Sequence, residues 1–260
     1  MSIKDSTRRI VAIGGGRVRM GRPQTTDIDR EIVRLAGRRR PHLVFLPTAS
    51  QDAADYCEAI IRHFGGRLGC SVDALLLYRD RPRPRELAAR IAAADIIYAG
   101  GGHTLRMMRL WRHLGVDRLI DAARRRGTVL SGLSAGAICW FRAGNSDARK
   151  FSNPRDKTLI RVRGLGFVDA LVCPHYDSER HRQAALKTMM RTTAGVAIAL
   201  EDCAAIEIVG EQYRILGSRS RAQAYRVYWR SGHYHSERLR PHSDFRRLSS
   251  LLDRNSDLRT

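Results

Sequence analysis

Residues 128–137 read Thr128-Val129-Leu130-Ser131-Gly132-Leu133-Ser134-Ala135-Gly136-Ala137. The apolar start predicts a buried strand, and the apolar run Ile138-Cys139-Trp140-Phe141 that follows predicts a helix. Between them, Gly132-x-Ser134-x-Gly136 is a G-x-S-x-G at a strand-to-helix turn. Small residues around a serine let the backbone pass through a tight, strained turn. The helix that follows aims its first N–H groups at that serine, where they favour a developing oxyanion. The same spacing also fits a plain Gly/Ser turn with no chemistry.

Working outward, apolar runs alternate with helical patterns. Ile10–Ile13 ends in Gly14-Gly15-Gly16, and Leu43–Leu46 is stopped by Pro47. Val72–Tyr78 and Asp95–Ala99 are further strands. Helices are expected from a capping-box start at Thr26–Asp29, and over 52–64, 84–94, 104–114 and 117–126. Unbroken apolar strands separated by helices predict an α/β fold: a doubly wound, mostly parallel sheet with helices on both faces. After residue 150 the pattern changes. Residues 151–164 predict a loop or exposed hairpin, 170–173 a short strand and 178–192 a helix. The runs 197–200, 205–209, 213–216 and 224–229 predict a C-terminal β extension. We expect one domain over 1–235 and a charged, mobile tail over 236–260.

A second motif, Gly100-Gly101-Gly102-His103-Thr104, follows the fourth strand and opens a helix. Such a run brings backbone N–H groups close to a ligand, as oxyanion donors or an anion cradle. It is no dinucleotide loop, since position 105 is Leu. A serine nucleophile needs a base, and Pro174-His175-Tyr176-Asp177 directly follows an apolar strand. It also needs an acid to fix the imidazole tautomer. Asp147 and Asp177 are candidates, with Glu201 and Asp202 behind them, and spacing alone does not choose.

Taken together, Gly100–Gly102, Gly132–Ala137 and Pro174-His175-Tyr176 resemble the aspartyl dipeptidase (peptidase E) and cyanophycinase family of serine peptidases. The resemblance covers roughly residues 8–230. It implies a fold like that of class I glutamine amidotransferases, a flavodoxin-like parallel sheet, with Ser134 as nucleophile and His175 as general base. It implies an oxyanion hole from Ala135 and the glycines Gly101 and Gly102, and an acid between serine and histidine, for which Asp147 is the match. His103 stands where relatives commonly carry Asn, and with Gly100 and Arg180 it is a candidate for substrate binding. Arg180 and Arg182, just beyond His175, are candidates for carboxylate recognition, with solvated helix arginines as the favoured reading of both. The implied activity is a serine exopeptidase that cleaves small peptides after an N-terminal aspartate, with no metal or organic cofactor. The alternative is a non-catalytic or regulatory member that uses the same pocket for binding.

The net charge is +21, and all but four of the 47 basic residues are arginine. The arginines are spread along the chain, which favours a compositional bias over a dedicated polyanion-binding arm. Nucleic-acid binding stays the third reading, without a zinc-finger spacing or an aromatic RNA-binding motif to support it. His233, His235 and His242 are expected on an exposed strand or tail, not as metal ligands. Five cysteines with no C-x-x-C predict buried free thiols. No apolar stretch reaches the roughly 20 residues that span a bilayer, so a cytoplasmic protein without membrane partners is expected. A homodimer is compatible with the fold.

Overall fold

The computed structural model describes residues 8–18, 21, 23–151, 153–156, 158–179, 181–256 and 258. The first half alternates strand and helix: β1 (Arg9–Ile13), α1 (Thr26–Leu35), β2 (His42–Leu46), α2 (Ala54–Ile60), β3 (Ser71–Ala74), α3 (Pro84–Ala92) and β4 (Ile96–Ala99). A π-helical turn, Ile61–Arg67, extends α2. The chain continues through α4 (Thr104–Leu114), α5 (Val116–Arg125), β5 (Val129–Leu133) and α6 (Ala135–Ile138). Then come β6 (Phe141–Ser146), β7 (Ile160–Arg163), β8 (Val168–Cys173), α7 (His181–Met190), β9 (Ala197–Leu200), β10 (Ala204–Val209) and β11 (Gln212–Gly217). The last elements are β12 (Ala224–Arg230), β13 (His233–Leu239), β14 (Arg246–Arg247) and α8 (Leu248–Leu252).

The fold is α/β, with two sheets rather than one. The first has the order β14-β11-β10-β1-β5-β4-β2-β3, the second β13-β12-β9-β8-β6-β7. In the first, β1, β5, β4, β2 and β3 run parallel; in the second, β6, β8 and β9 do. The two-residue period of a strand sorts the core. Ile10, Val44, Ile97 and Leu130 point to one face of the first sheet, onto α3, α4 and α5 and the second sheet. Val11, Phe45, Tyr98 and Val129 point to the other, under α1 and α2. Leu171, Ala197 and Ala199 use the far face of the second sheet, against Leu186 and Met190 of α7. Both faces of the parallel strands are covered, which is why their sequences read as unbroken apolar runs.

The apolar run 138–141 departs from the expected helix. α6 stops at Ile138, and Phe141 opens β6. A Cβ at Gly144 would lie 2.6 Å from the Ile138 side chain, so β6 folds back tightly on α6. Burial on all sides makes this run equally apolar as helix or strand, and periodicity cannot separate the two. α1 begins at Thr26 with no side-chain cap; Thr25 Oγ1 instead donates to Asp29 Oδ2 at 2.8 Å, and Asp29 turns inward to His63. The third strand is shorter than expected, ending at Ala74.

The described residues of the segment expected as a mobile tail, 236–256 and 258, are built into the fold. β13 pairs with β12 along its full length, β14 pairs with β11, and Leu251 of α8 is fully buried. The anchor is Arg226 of β12, which is 0% exposed. Its guanidinium pairs with Glu237 and donates to the carbonyls of Ser250, Asp253 and Ser256 at 2.9, 3.0 and 2.6 Å. A sequence reading that treats charge as exposure misses this. Arg226→Ala leaves three carbonyls and a carboxylate without their donor, and is expected to lower stability by about 3 kcal/mol, read as a fall in Tm. An unchanged Tm would show that the C-terminal segment is held otherwise.

All five cysteines are buried and free. Burial pushes the Cys70 thiol up to about 11 and that of Cys173 up to about 12, so neither is a ready nucleophile. Among the described residues no helix is long and apolar enough to cross a membrane. His233 and His235 lie on β13, while His242 packs edge-on to Tyr213; no three His, Cys, Asp or Glu side chains among the described residues are grouped to hold a metal.

Candidate active site

The carboxyl ends of β5, β4 and β1 meet the loops after β8 and β9 at the seam between the sheets. Ser134 is the residue after β5, with φ 58° and ψ −109°. That conformation is strained for a residue with a side chain, and its neighbours explain how it is held. A Cβ at Gly132 would lie 2.6 Å from the Ala99 carbonyl oxygen, and one at Gly136 only 1.9 Å. The two glycines let the turn press against the end of β4. The Ser134 N–H is taken by the Ile13 carbonyl at 3.0 Å. That leaves the Ala135 N–H, at the first position of α6, as the elbow's outward donor.

His175 stands two residues beyond β8, also at positive φ, 54°. Its Nε2 lies 2.8 Å from Ser134 Oγ. Its Nδ1 lies 2.7 Å from Asp202 Oδ1. Strand register explains the second contact. β8 and β9 are parallel neighbours with Cys173 opposite Ala199, so the loops leaving their carboxyl ends emerge side by side. Burial pushes the Asp202 carboxyl up, but the hydrogen bond and charge of His175, with help from Ser178 and Arg182, outweigh it and hold the group below the usual carboxylate range. Asp177 Oδ1 accepts the Asp202 backbone N–H at 2.8 Å and so fixes the acid's loop. Glu201 faces away, accepting from Gln223 N–H and Tyr225 OH.

Asp147 is not the acid beside His175, and this corrects the expectation taken from the resemblance. It follows β6 and pairs with Lys150 and Arg182. Sequence order places it between serine and histidine, but β8 has β6 on one side and β9 on the other, and His175 Nδ1 meets the loop after β9. Arg182 is likewise no solvated helix arginine. It is 1% exposed, donates to Glu179 and to the Asn145 carbonyl, and braces Asp147. Arg180 lies outside the described residues.

The glycine run 100–102 lines up beside Ser134. A Cβ at Gly100 would touch Tyr56 and Phe45, and one at Gly102 would lie 2.2 Å from the Ala49 carbonyl oxygen. The Gly101 N–H donates to the Tyr56 hydroxyl at 3.3 Å, a long bond. His103 caps α4, its Nδ1 accepting from Arg106 N–H at 3.3 Å, and its ring stacks on Phe151 at 4.9 Å. Burial and the charge of Arg106 hold it below the usual histidine value. It makes no hydrogen bond to His175 or Ser134.

A cleft of about 500 Å³ opens over the serine, lined by Ser134, His175, Gly101, Gly102, Tyr56 and Phe151, with Arg17 and Lys150 as its cations. Several of these residues gave no clear signal in the sequence. Gly15 packs behind the site: a Cβ there would lie 1.9 Å from Asp202 Oδ1 and 2.4 Å from His175 Nδ1. The run Gly14-Gly15-Gly16 after β1 mirrors Gly100-Gly101-Gly102 after β4, and that parallel was available in the sequence. Tyr56 and Arg17 carried none.

A serine on a strand–turn–helix elbow, hydrogen-bonded to an imidazole that is itself bonded to a carboxylate, is the arrangement serine hydrolases use on many folds. The chain belongs to peptidase family S51, whose model matches residues 10–216, and it is a serine-type peptidase. It is 35% identical over 222 residues to the uncharacterized peptidase YgaJ of Bacillus subtilis (strain 168), covering 85% of this chain and 92% of that one. Two solved structures share the fold. A peptidase from an acI-B1 Actinobacterium matches with TM-score 0.71 and 16% identity over 92% of this chain and 96% of its own. A Listeria monocytogenes EGD-e protein that carries the peptidase E name matches with TM-score 0.62 and 20% identity, over 81% and 98%.

Proposed function

We propose that the protein hydrolyses small peptides after an N-terminal aspartate, with Ser134, His175 and Asp202 as a catalytic triad. The observation that carries this reading is the continuous contact from Asp202 through both ring nitrogens of His175 to Ser134 Oγ, at 2.7 and 2.8 Å. His175 Nε2 takes the serine proton as Oγ attacks the scissile carbonyl, and Asp202 holds the ring in the tautomer that leaves Nε2 free to accept. The tetrahedral oxyanion is received by the N–H groups of Ala135 and of Gly101 or Gly102. The Gly101 donor exchanges its long bond to Tyr56 for a stronger one to charge. His175 then gives its proton to the leaving amine. Water, activated by the same ring, releases the acyl group and restores Ser134.

Cleft size and charge support the substrate class. About 500 Å³ suits a short peptide, and the charged side chains at its wall are cations, Arg17 and Lys150. Lys150 is offset by Asp147, whereas the Arg17 guanidinium has no partner among the described residues. A panel of Asp-X, Glu-X, Ala-X and Lys-X dipeptides, each free and N-acetylated, tests this. Free Asp-X is expected to be cleaved at least about tenfold faster in kcat/KM than Ala-X, with the acetylated forms resistant. Faster cleavage of Ala-X or Lys-X would discard the acidic preference. No turnover anywhere, with Ser134 unlabelled by a serine-directed phosphonate, would discard the catalytic reading.

A further inference from the structure

We propose that the recess between α4 and the turn Ala148–Phe151 binds a small oxyanion, the phosphate or carboxylate group of a ligand separate from the peptide in the Ser134 cleft. The recess has a volume of about 280 Å³. Its polar wall is His103, Arg106, Arg109 and Arg149, over an apolar floor that includes Leu105 and Ile160.

The hydrogen-bonding chemistry of this wall is one-sided. Because His103 Nδ1 accepts the Arg106 N–H, the neutral ring carries its proton on Nε2. His103 is only 7% exposed and lines the recess, and the hydrogen bond its ring makes among the described residues is through Nδ1, not Nε2. The guanidinium groups of Arg106 and Arg109, at i and i+3 on α4, have no partner among the described residues. Arg149 has only a 3.9 Å approach to Asp156. Every polar side chain on the wall is therefore a donor, and three of the four are permanently charged. No acidic residue lines the recess. The charge of Asp147 reaches His103, but that carboxylate is engaged by Lys150 and Arg182. A pocket of donors without acceptors selects a ligand that only accepts, and an oxyanion meets that requirement with charge complementarity.

Two other arginine-lined pockets lack this one-sidedness: one of about 650 Å³ with Arg219, Arg238 and Arg240 mixes in Asp27 and Gln223, and in one of about 190 Å³ Arg62 is paired with Glu58 and His63 with Asp29. The recess also adjoins the Ser134 cleft. His103 stacks on Phe151, and the turn that supplies Arg149 here supplies Lys150 and Phe151 there.

The test is calorimetric titration of the intact protein with pyrophosphate and with citrate, at one ionic strength held by NaCl. Binding by the wild type is expected, weakened at least tenfold in Arg106→Gln/Arg109→Gln. It is expected to change less than twofold in Arg39→Gln/Arg40→Gln, which removes the same charge from exposed positions elsewhere. His103→Asn keeps a helix-capping oxygen and deletes the Nε2 donor, so it is expected to weaken binding while α4 and the melting curve persist. Pyrophosphate binding tighter than citrate identifies a phosphoryl group, and the reverse a carboxylate. Binding should survive in Ser134→Ala, which separates this site from the peptidase reading. The proposal is overturned if neither anion titrates the wild type, or if both double variants lose affinity equally.

Discussion

Replacing Ser134 by alanine is expected to lower kcat for peptide hydrolysis by about 10⁶-fold while leaving KM within a few-fold of the wild type. The reason is where the hydroxyl acts. Oγ is the atom His175 contacts at 2.8 Å, and it forms the bond to the substrate only as the reaction proceeds. Deleting it removes a transition-state interaction and little ground-state binding. The oxyanion donors remain, so a residual rate above that of water is expected. The fold should be indifferent. Alanine meets the same backbone strain at φ 58° that serine does, so a melting curve within about 1 kcal/mol of wild type is expected. Wild-type turnover by Ser134→Ala would end the nucleophile assignment.

The second expected result separates the two candidate acids. Asp202→Asn is expected to lower kcat by about 10⁴-fold, and Asp147→Asn by far less. An asparagine at 202 can present N–H to His175 Nδ1. The ring then puts its proton on Nε2, where it can no longer accept from Ser134. Asp147 makes no contact with the ring; its loss releases Lys150 and Arg182, which is a stability effect, read in Tm. Asp202 also leaves a mark on stability against pH. Its carboxyl is held below the ordinary value in the folded chain, so its stabilisation is fully present above the unfolded-state pKa, near pH 4. It is lost as pH falls through the folded pKa. The stability gap between wild type and Asp202→Asn should therefore narrow on acidification below about pH 4. Equal losses of activity in Asp202→Asn and Asp147→Asn would overturn the assignment of the acid.

Much of the site was legible because its signals are local. The elbow needs small residues two positions either side of Ser134, since a Cβ at Gly132 or Gly136 would run into the Ala99 carbonyl. That requirement is written directly into the sequence as G-x-S-x-G. The parallel core was legible for a similar reason: strands buried on both faces must be apolar at every position. The π-turn after α2, the reversal of the chain at Cys139–Trp140 and the second sheet were not, because an apolar run buried on all sides carries no period. The ordered C-terminal segment was hidden for the opposite reason. Its anchor is a charged residue, Arg226, whose burial depends on carbonyls about 25 to 30 residues away.

By itself, then, the sequence determined the α/β class, the serine at its strained turn, the glycine run beside it and the histidine two residues past a strand. Each is a demand that the backbone makes on its immediate neighbours. Only the tertiary structure decided which carboxylate faces that histidine. Four acids were available; Asp147 and Asp202 follow strands that flank β8 on either side, and the ring meets Asp202, a long-range contact that leaves no trace in local spacing. The tertiary structure likewise decided that Arg182 and Arg226 are interior clamps. A charged side chain's role is set by the partners that folding brings to it, and those partners are far away in the chain.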